Sequence, residues 1–117
     1  MKKIIETAEE NILHTYNRYN IVLDHGDGVY VYDTEGKRYL DFYSGIGVYG
    51  LGNSNKEFNE ALKTQVDKIL HVSNLFYNEP AAKAAEALVK VSGMDKVFFT
   101  NSGAEAIEGA LKSALKY

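Results

Sequence analysis

The spacing of apolar residues changes along the chain, and it predicts which segments are helices and which are strands. Apolar residues recur three or four positions apart in residues 3–13, 54–70, 80–92 and 103–117, which predicts four helices. Residues 96–100 (KVFFT) are nearly continuously apolar, which is typical of a strand buried on both faces of a parallel sheet. The second half of the chain is therefore predicted to run helix, helix, strand, helix.

The first half carries the signal of a β-hairpin. Residues 29–33 and 38–42 are rich in Val, Tyr and Phe and flank residues 34–37, where Gly36 can take the positive φ of a turn. The next stretch is unusually rich in glycine, with Gly45, Gly47, Gly50 and Gly52. So many positions without a side chain predict irregular backbone that lies close to another group.

Helix boundaries are marked by capping residues. Ser54 and Glu57 fit the N-cap and third position of a capping box. Pro80 suits the first position of the next helix, where its missing N–H costs nothing. That helix is expected to end near Gly93, which suits the position just after a C-terminus.

The predicted strand 96–100 has no evident partner in residues 54–117. A lone buried strand would leave backbone N–H and C=O groups unpaired, which is energetically costly. Either the hairpin supplies the partners, or further strands lie beyond Tyr117. We favour the second reading, in which the chain is the front part of a larger α/β protein.

Composition and charge narrow the class of protein. The formal net charge of -3, with both signs interspersed, argues against a nucleic-acid surface or a polybasic membrane anchor. Glu6, Glu9 and Glu10 interrupt any apolar core of a signal peptide, and no apolar run approaches the roughly 20 residues needed to span a bilayer. The absence of cysteine suits a reducing compartment. We therefore expect a soluble, cytoplasmic protein without a metal site.

The junction between strand 96–100 and the last helix has two interpretations. Ser102 and Glu105 form a capping box, which explains both residues without any ligand. A strand leading into a helix N-terminus also points free N–H groups and the positive end of the helix dipole at one spot. Gly103 and Ala104 would let a phosphate approach the backbone closely. The two interpretations are compatible, because a capped helix keeps donors at its remaining amides.

Four stretches together resemble one family. The last of them, FFTNSGAEAIEGALKSALKY, resembles the segment of class III aminotransferases that binds the phosphate of pyridoxal 5′-phosphate. GVYVYDTEGKRYLDF resembles the N-terminal hairpin of that family, and GIGVYGLGN and HVSNLFYNEP resemble two further segments in the same order. GIGVYGLGN and HVSNLFYNEP favour the acetylornithine aminotransferase branch of the family. The resemblance implies the N-terminal part of a fold-type-I α/β enzyme that depends on pyridoxal phosphate.

The resemblance also implies roles for particular residues and for two parts of the chain. The residues implied to bind the cofactor phosphate are Ser102, Gly103 and Ala104. Those implied to line the substrate entrance are Gly45, Ile46, Gly47 and Val48. Asn74 and Tyr77 are implied to belong to a connection at the dimer interface and active site. Residues 1–53 would carry the hairpin of the small domain, and residues 54–117 the interdomain helix and the start of the large cofactor-binding domain.

The implied reaction moves an amino group from N-acetylornithine to 2-oxoglutarate in arginine biosynthesis, in a homodimer acting on small molecules. Ile46 stands where the ornithine-specific branch has a tyrosine, which favours a substrate with an acylated, uncharged α-amino group. The family's Schiff-base lysine matches no lysine here, so the chain alone is expected to be inactive. The alternative is a free-standing, non-catalytic module that binds an anion or another chain.

The sequence also departs from the family pattern. Asn53, Asn55 and Lys56 replace two histidines and a proline, while Gly47 and Tyr49 replace alanine and asparagine. Asn and Ser are good helix caps, so the helix that follows is expected to persist. A conformation that relied on the imidazoles is in doubt.

Overall fold

A computed structural model describes all 117 residues, which divide into two compact units, residues 1–70 and 71–117. The first unit contains α1 (Lys2–Asn11), β1 (Leu23–Asp27), β2 (Tyr30–Asp33), β3 (Arg38–Leu40), α2 (Ser44–Gly47) and α3 (Lys56–Lys68). The second contains α4 (Glu79–Ser92) and α5 (Gly103–Lys116).

The first unit is built on a three-stranded antiparallel sheet in the order β1-β2-β3. The hairpin predicted from the sequence is formed by β2 and β3, with Tyr30 opposite Leu40 and Tyr32 opposite Arg38. Gly36 in its turn has φ 80°, the left-handed conformation that glycine adopts at least cost. The hairpin prediction is confirmed.

Strand β1 was not predicted, because its sequence LDHGD has no alternating apolar pattern. It pairs with β2 through the backbone, with an irregularity between Leu23 and His25. The ring of His25 stacks on that of Tyr32, with centroids 4.6 Å apart and planes nearly parallel. Pairing to a neighbouring strand therefore holds β1 in place, where its own composition would not.

The hairpin turn is organised by Asp33, the one buried residue of the chain. Its Oδ1 accepts hydrogen bonds from the backbone N–H groups of Glu35 and Lys37, both at 2.9 Å. Its Oδ2 accepts from the phenol of Tyr39 at 2.8 Å. The Tyr39 hydroxyl and the two backbone donors hold the pKa of the Asp33 carboxyl below its usual value. The charged form is thus the one that the turn binds.

The predicted capping box at Ser54 and Glu57 is wrong by one residue. The N-cap of α3 is Asn55, whose side chain accepts a hydrogen bond from Phe58 N at 2.9 Å. Ser54 has φ 57°, and its hydroxyl donates to the carbonyl of Gly26 in β1. A contact to the sheet therefore takes Ser54 away from the helix, and Asn55 caps the helix in its place.

In the second unit the helix ends follow local rules. Asn78 caps α4 by accepting a hydrogen bond from Ala81 N at 2.9 Å. Pro80 lies at the second helical position, one residue later than predicted, where its missing N–H is equally harmless. Gly93 follows the helix with φ 69°, as predicted.

Residues 96–100 form no strand, contrary to the prediction. No strand of the chain pairs with them, and without a partner the extended backbone has no ladder of hydrogen bonds to define it. Both Phe98 and Phe99 are exposed.

No apolar side chain is buried in either unit. Each long helix has an apolar stripe that faces no other element, including that of α3 with Phe58, Leu62 and Val66 half exposed. No helix is both long enough and apolar enough to cross a membrane.

Candidate functional site

The N-terminus of α5 is capped from both directions. The hydroxyl of Ser102 accepts a hydrogen bond from Glu105 N at 3.2 Å. The Glu105 carboxylate reaches back and accepts from Asn101 N at 2.8 Å and from its side-chain amide at 3.3 Å. The reciprocal return bond goes to the residue before the N-cap, but the capping interpretation of Ser102 and Glu105 is otherwise confirmed.

Capping leaves the neighbouring amides free. The backbone N–H groups of Ser102, Gly103 and Ala104 donate to no acceptor in the protein, and all three residues are exposed. A Cβ placed on Gly103 would meet no atom within 4 Å, so the space in front of this helix end is open.

These amides suit a phosphate. Successive free donors at the start of a 14-residue helix, with the positive end of its dipole, are the features by which proteins bind phosphate groups. The carboxylate of Glu105, in the first turn, already accepts both donors of Asn101 and is turned back along the chain. The cap and a phosphate-binding site can coexist, because the cap uses the N–H of Glu105 and leaves those of Ser102, Gly103 and Ala104 free.

Asn74 lies near residues 98–101 and one side of α5. It lines a cavity of about 370 Å³ together with residues that include Phe99, Thr100, Asn101 and Glu105. Of the residues predicted to bind the cofactor, Ser102, Gly103 and Ala104, none lines this cavity. The side chain of Tyr77 is fully exposed and does not line this cavity.

The predicted substrate-entrance residues lie in the other unit, on a turn of rare conformation. All four residues of α2 have positive φ: Ser44 46°, Gly45 58°, Ile46 69° and Gly47 75°. We refer to Ser44–Gly47 as the left-handed turn. Serine and above all the β-branched isoleucine avoid this region, at a cost of about 1–3 kcal/mol each. The turn leaves Ile46 with 76% of its surface exposed, and Val48 is exposed as well.

Asp41, which sequence reasoning did not select, holds this turn. Its Oδ1 accepts hydrogen bonds from Tyr43 N at 3.1 Å and Ser44 N at 2.8 Å. Asp41 and Gly45 also line one cavity of about 410 Å³ against the sheet. The signal was present in the sequence: an aspartate directly after a strand and before a glycine-rich stretch is typical of a side chain that bonds the backbone two residues on.

Two of the departures from the family pattern have structural roles here. Asn53 forms a backbone bridge with Gly28, in which each residue's N–H donates to the other's carbonyl at 2.9 and 2.7 Å. Asn55 is the N-cap of α3. The helix after the glycine-rich stretch therefore persists without the family's histidines, as expected.

Comparison with known proteins shows which family the chain resembles. The family model of class-III aminotransferases matches residues 12–117. The acetylornithine aminotransferase of Archaeoglobus fulgidus is 49% identical over 110 residues, which are 94% of this chain and 29% of that protein. The enzyme of the same name from Haemophilus ducreyi is 53% identical over 106 residues, 91% of this chain and 27% of that protein.

Solved structures give the same result. Acetylornithine aminotransferase from Elizabethkingia anophelis superposes with a TM-score of 0.90 at 40% identity, over 95% of this chain and 29% of that one. Ornithine δ-aminotransferase from Plasmodium falciparum superposes with a TM-score of 0.89 at 32% identity, over 95% and 29%. The chain therefore spans only about 29% of the length of such relatives. On these grounds the chain belongs to the class-III aminotransferases, a family of fold-type-I enzymes that depend on pyridoxal 5′-phosphate.

Proposed function

We propose that residues 1–117 supply two parts of the active site of an acetylornithine aminotransferase. One is the phosphate seat, which consists of the backbone amides of Ser102, Gly103 and Ala104, and the other is part of the substrate entrance. The reaction moves an amino group from N-acetylornithine to 2-oxoglutarate, as a step of arginine biosynthesis. The observation that carries the proposal is the row of free, exposed amides at the start of α5. The names of the relatives, which are 49% and 53% identical, support the choice of substrate.

Pyridoxal phosphate would be held here by its phosphate. Gly103 and Ala104 would donate their backbone N–H groups, with Ser102 beside them, and the dipole of α5 would add about 1 kcal/mol or less. When bound, the cofactor supplies the electron sink that stabilises negative charge next to the transferred nitrogen. The contribution of these residues is to bind and orient, because none of them is a proton carrier at neutral pH.

The left-handed turn would form one wall of the substrate entrance, with Gly45, Ile46, Gly47 and Val48. Ile46 presents an apolar side chain there. An apolar wall favours a neutral acylamido group over an ammonium group, because a charged group loses hydration without gaining a partner. Asn74, at the cavity beside Asn101, and the exposed Tyr77 would belong to a connection that a homodimer completes.

The chain alone is proposed to be inactive. The covalent lysine of the family has no counterpart among its lysines, of which Lys83 and Lys112 pair with Glu79 and Glu108 on exposed helix faces. Further polypeptide would cover the exposed apolar stripes and pair with residues 96–100. The rival interpretation, a self-sufficient binding module, requires an apolar core, and no apolar side chain is buried. Cytoplasmic location remains a prediction.

The proposal is tested on the full-length enzyme that carries residues 1–117. It is assayed with N-acetyl-L-ornithine and with L-ornithine as amino donors and 2-oxoglutarate as acceptor. We expect kcat/KM for the acylated donor to be higher by about tenfold or more. Ile46→Tyr is expected to reduce this ratio, with Ile46→Leu as the matched control. A preference of the unsubstituted enzyme for ornithine would refute the proposed substrate.

The inactivity of the isolated chain has its own test. The 117-residue protein is incubated with pyridoxal phosphate, reduced with borohydride and analysed by peptide mass spectrometry. We expect no single lysine to carry the reduced cofactor. Stoichiometric labelling of one lysine would show that the chain contains a covalent cofactor site and would overturn this part of the proposal.

A further inference from the structure

The glycine-rich stretch that contains the left-handed turn is attached to the sheet at both ends. At one end, the backbone N–H of Asp41 donates to the carbonyl of Val29 at 2.9 Å. At the other end, Asn53 and Gly28 exchange two backbone hydrogen bonds. Gly28 and Val29 are adjacent, so residues 42–52 form a closed loop whose two ends meet at one point of the sheet. Compact loops of this kind are frequently functional.

The strained conformation of the loop has to be stabilised by specific interactions. Ser44 and Ile46 both have positive φ, which isolated chains avoid. Within the turn, Ile46 N donates to Tyr43 O and Val48 N donates to Ser44 O, both at 2.9 Å. Those bonds close the turn but do not fix where it begins. At its start the turn receives two further hydrogen bonds, because the Asp41 carboxylate accepts from the amides of Tyr43 and Ser44.

The Asp41 carboxylate is well placed for this role. Asp41 and Ser44 are half-buried, whereas Ile46, at the outer side of the turn, is exposed. Two hydrogen bonds to one carboxylate oxygen at the start of the turn oppose the strain of its left-handed residues.

We propose that Asp41 is a positioning residue that holds the left-handed turn, and through it Ile46, in the geometry that admits the acylated substrate. This rests on the proposed function of Gly45, Ile46, Gly47 and Val48 as the wall of the substrate entrance. Asp41 does not touch the substrate. It acts through the backbone of Ser44, which begins the turn.

The test compares Asp41 variants of the full-length enzyme. In Asp41→Ala the turn loses both side-chain hydrogen bonds, and we expect KM for N-acetyl-L-ornithine to rise by about tenfold or more, with little change in KM for 2-oxoglutarate. Asp41→Asn keeps a carbonyl oxygen at the same reach, so its KM is expected to stay within about twofold. Asp67→Ala, which removes a carboxylate from α3, is the matched control.

A second substitution separates positioning from general damage. Glycine adopts positive φ without cost, so Ser44→Gly added to Asp41→Ala is expected to restore most of the lost affinity without adding any group near the substrate. Failure of this rescue, or an unchanged KM in Asp41→Ala, would overturn the proposal. If Asp41→Ala does not fold, Asp41→Ser, whose hydroxyl has shorter reach, is compared with Asp41→Asn: an equal KM for the two also overturns it.

Crystal structures of the same variants distinguish this proposal from the proposed function. Asp41→Ala is expected to lose positive φ at Ser44 and Ile46, and Asp41→Ala with Ser44→Gly to regain it. If the unsubstituted enzyme does not use N-acetylornithine, the proposed function fails, whereas these structures still show whether Asp41 holds the turn. An intact turn in the Asp41→Ala structure would contradict the role of Asp41 whatever the substrate is.

Discussion

The two units of the chain acquire their order in different ways. In residues 1–70, hydrogen bonds join positions that are far apart in sequence, such as Gly28 with Asn53 and Ser54 with Gly26. In residues 71–117, the side-chain hydrogen bonds that define the helices join residues three or four positions apart, as at Asn78 and Ser102. The helices α4 and α5 do not pack on each other.

This difference matches the two parts of the proposed site. The phosphate seat needs only a helix that begins at the right residue with its first amides free, and local capping provides that. The substrate entrance needs a turn in a conformation that its own residues disfavour, and it would be held by Asp41 together with the backbone bonds of the loop to Gly28 and Val29. Substitutions that remove either a long-range contact or a local hydrogen bond test this contrast.

The largest effect is expected where the loop meets the sheet. Gly52 has φ 73°, and a Cβ at this position would lie 2.8 Å from the carbonyl oxygen of Gly28. Gly52→Ala therefore disrupts the bridge between Gly28 and Asn53, and we expect it to destabilise the full-length enzyme by about 3 kcal/mol, measured by denaturant unfolding. Gly50→Ala is the control, because a Cβ there meets nothing within 4 Å. Equal effects of the two substitutions would show that the bridge does not anchor the loop.

The next effect concerns the phosphate seat. Gly103 is the first residue of α5, where proline is tolerated, and Ser102 before it has the extended conformation that proline requires. Gly103→Pro thus keeps the helix but removes one N–H donor. We expect the Kd of the full-length enzyme for pyridoxal phosphate to rise by about ten- to a hundredfold, measured by fluorescence titration. Gly103→Ala keeps the donor and serves as control. An unaffected Kd in the proline variant would contradict the phosphate seat.

A smaller effect is expected from a local cap. Asn78→Ala removes the acceptor for Ala81 N and should cost about 1 kcal/mol, which shows as faster amide hydrogen exchange in α4 of the full-length enzyme. Since the helices of residues 71–117 are defined locally, α5 should not change. Asn101→Ala, which leaves the N-cap of α4 intact, is the comparison. Faster exchange in α5 together with α4 would show that the two helices are coupled after all.

The smallest effect is a pH dependence of the hairpin turn. Hydrogen bonds from Tyr39 and two backbone amides lower the pKa of Asp33 from 3.8, so the charged carboxylate stabilises the fold. This contribution is fully present above pH 3.8 and is lost as the pH falls through the lower pKa of the folded state. In NMR spectra of the chain, the amide signals of Glu35 and Lys37 should therefore shift only below pH 3.8. Asp33→Asn should abolish that titration, and Asp67→Asn should leave it unchanged.

Local sequence signals predicted the hairpin, the long helices and the cap at Ser102. The hairpin, the helices and the cap of Ser102 depend on residues a few positions apart, so their patterns are readable in a single sequence. Ser54 misled the same reasoning, because it fits a capping box but bonds the sheet instead. Residues 96–100 misled it as well, because a strand is defined by a partner and the chain supplies none.

The amino-acid sequence by itself determined the hairpin, the approximate positions of the long helices, the cap of Ser102 that leaves the first amides of α5 free, and the resemblance to an aminotransferase family. Tertiary structure alone decided that β1 joins the sheet, that Ser54 bonds Gly26 and so leaves Asn55 to cap α3, and that Asn53 forms a bridge with Gly28. The physical reason is the range of the interactions. Capping hydrogen bonds span three or four residues, so their residues stand close together in the sequence. The backbone bonds that attach residues 42–52 to Gly28 and Val29 join residues that only folding brings together.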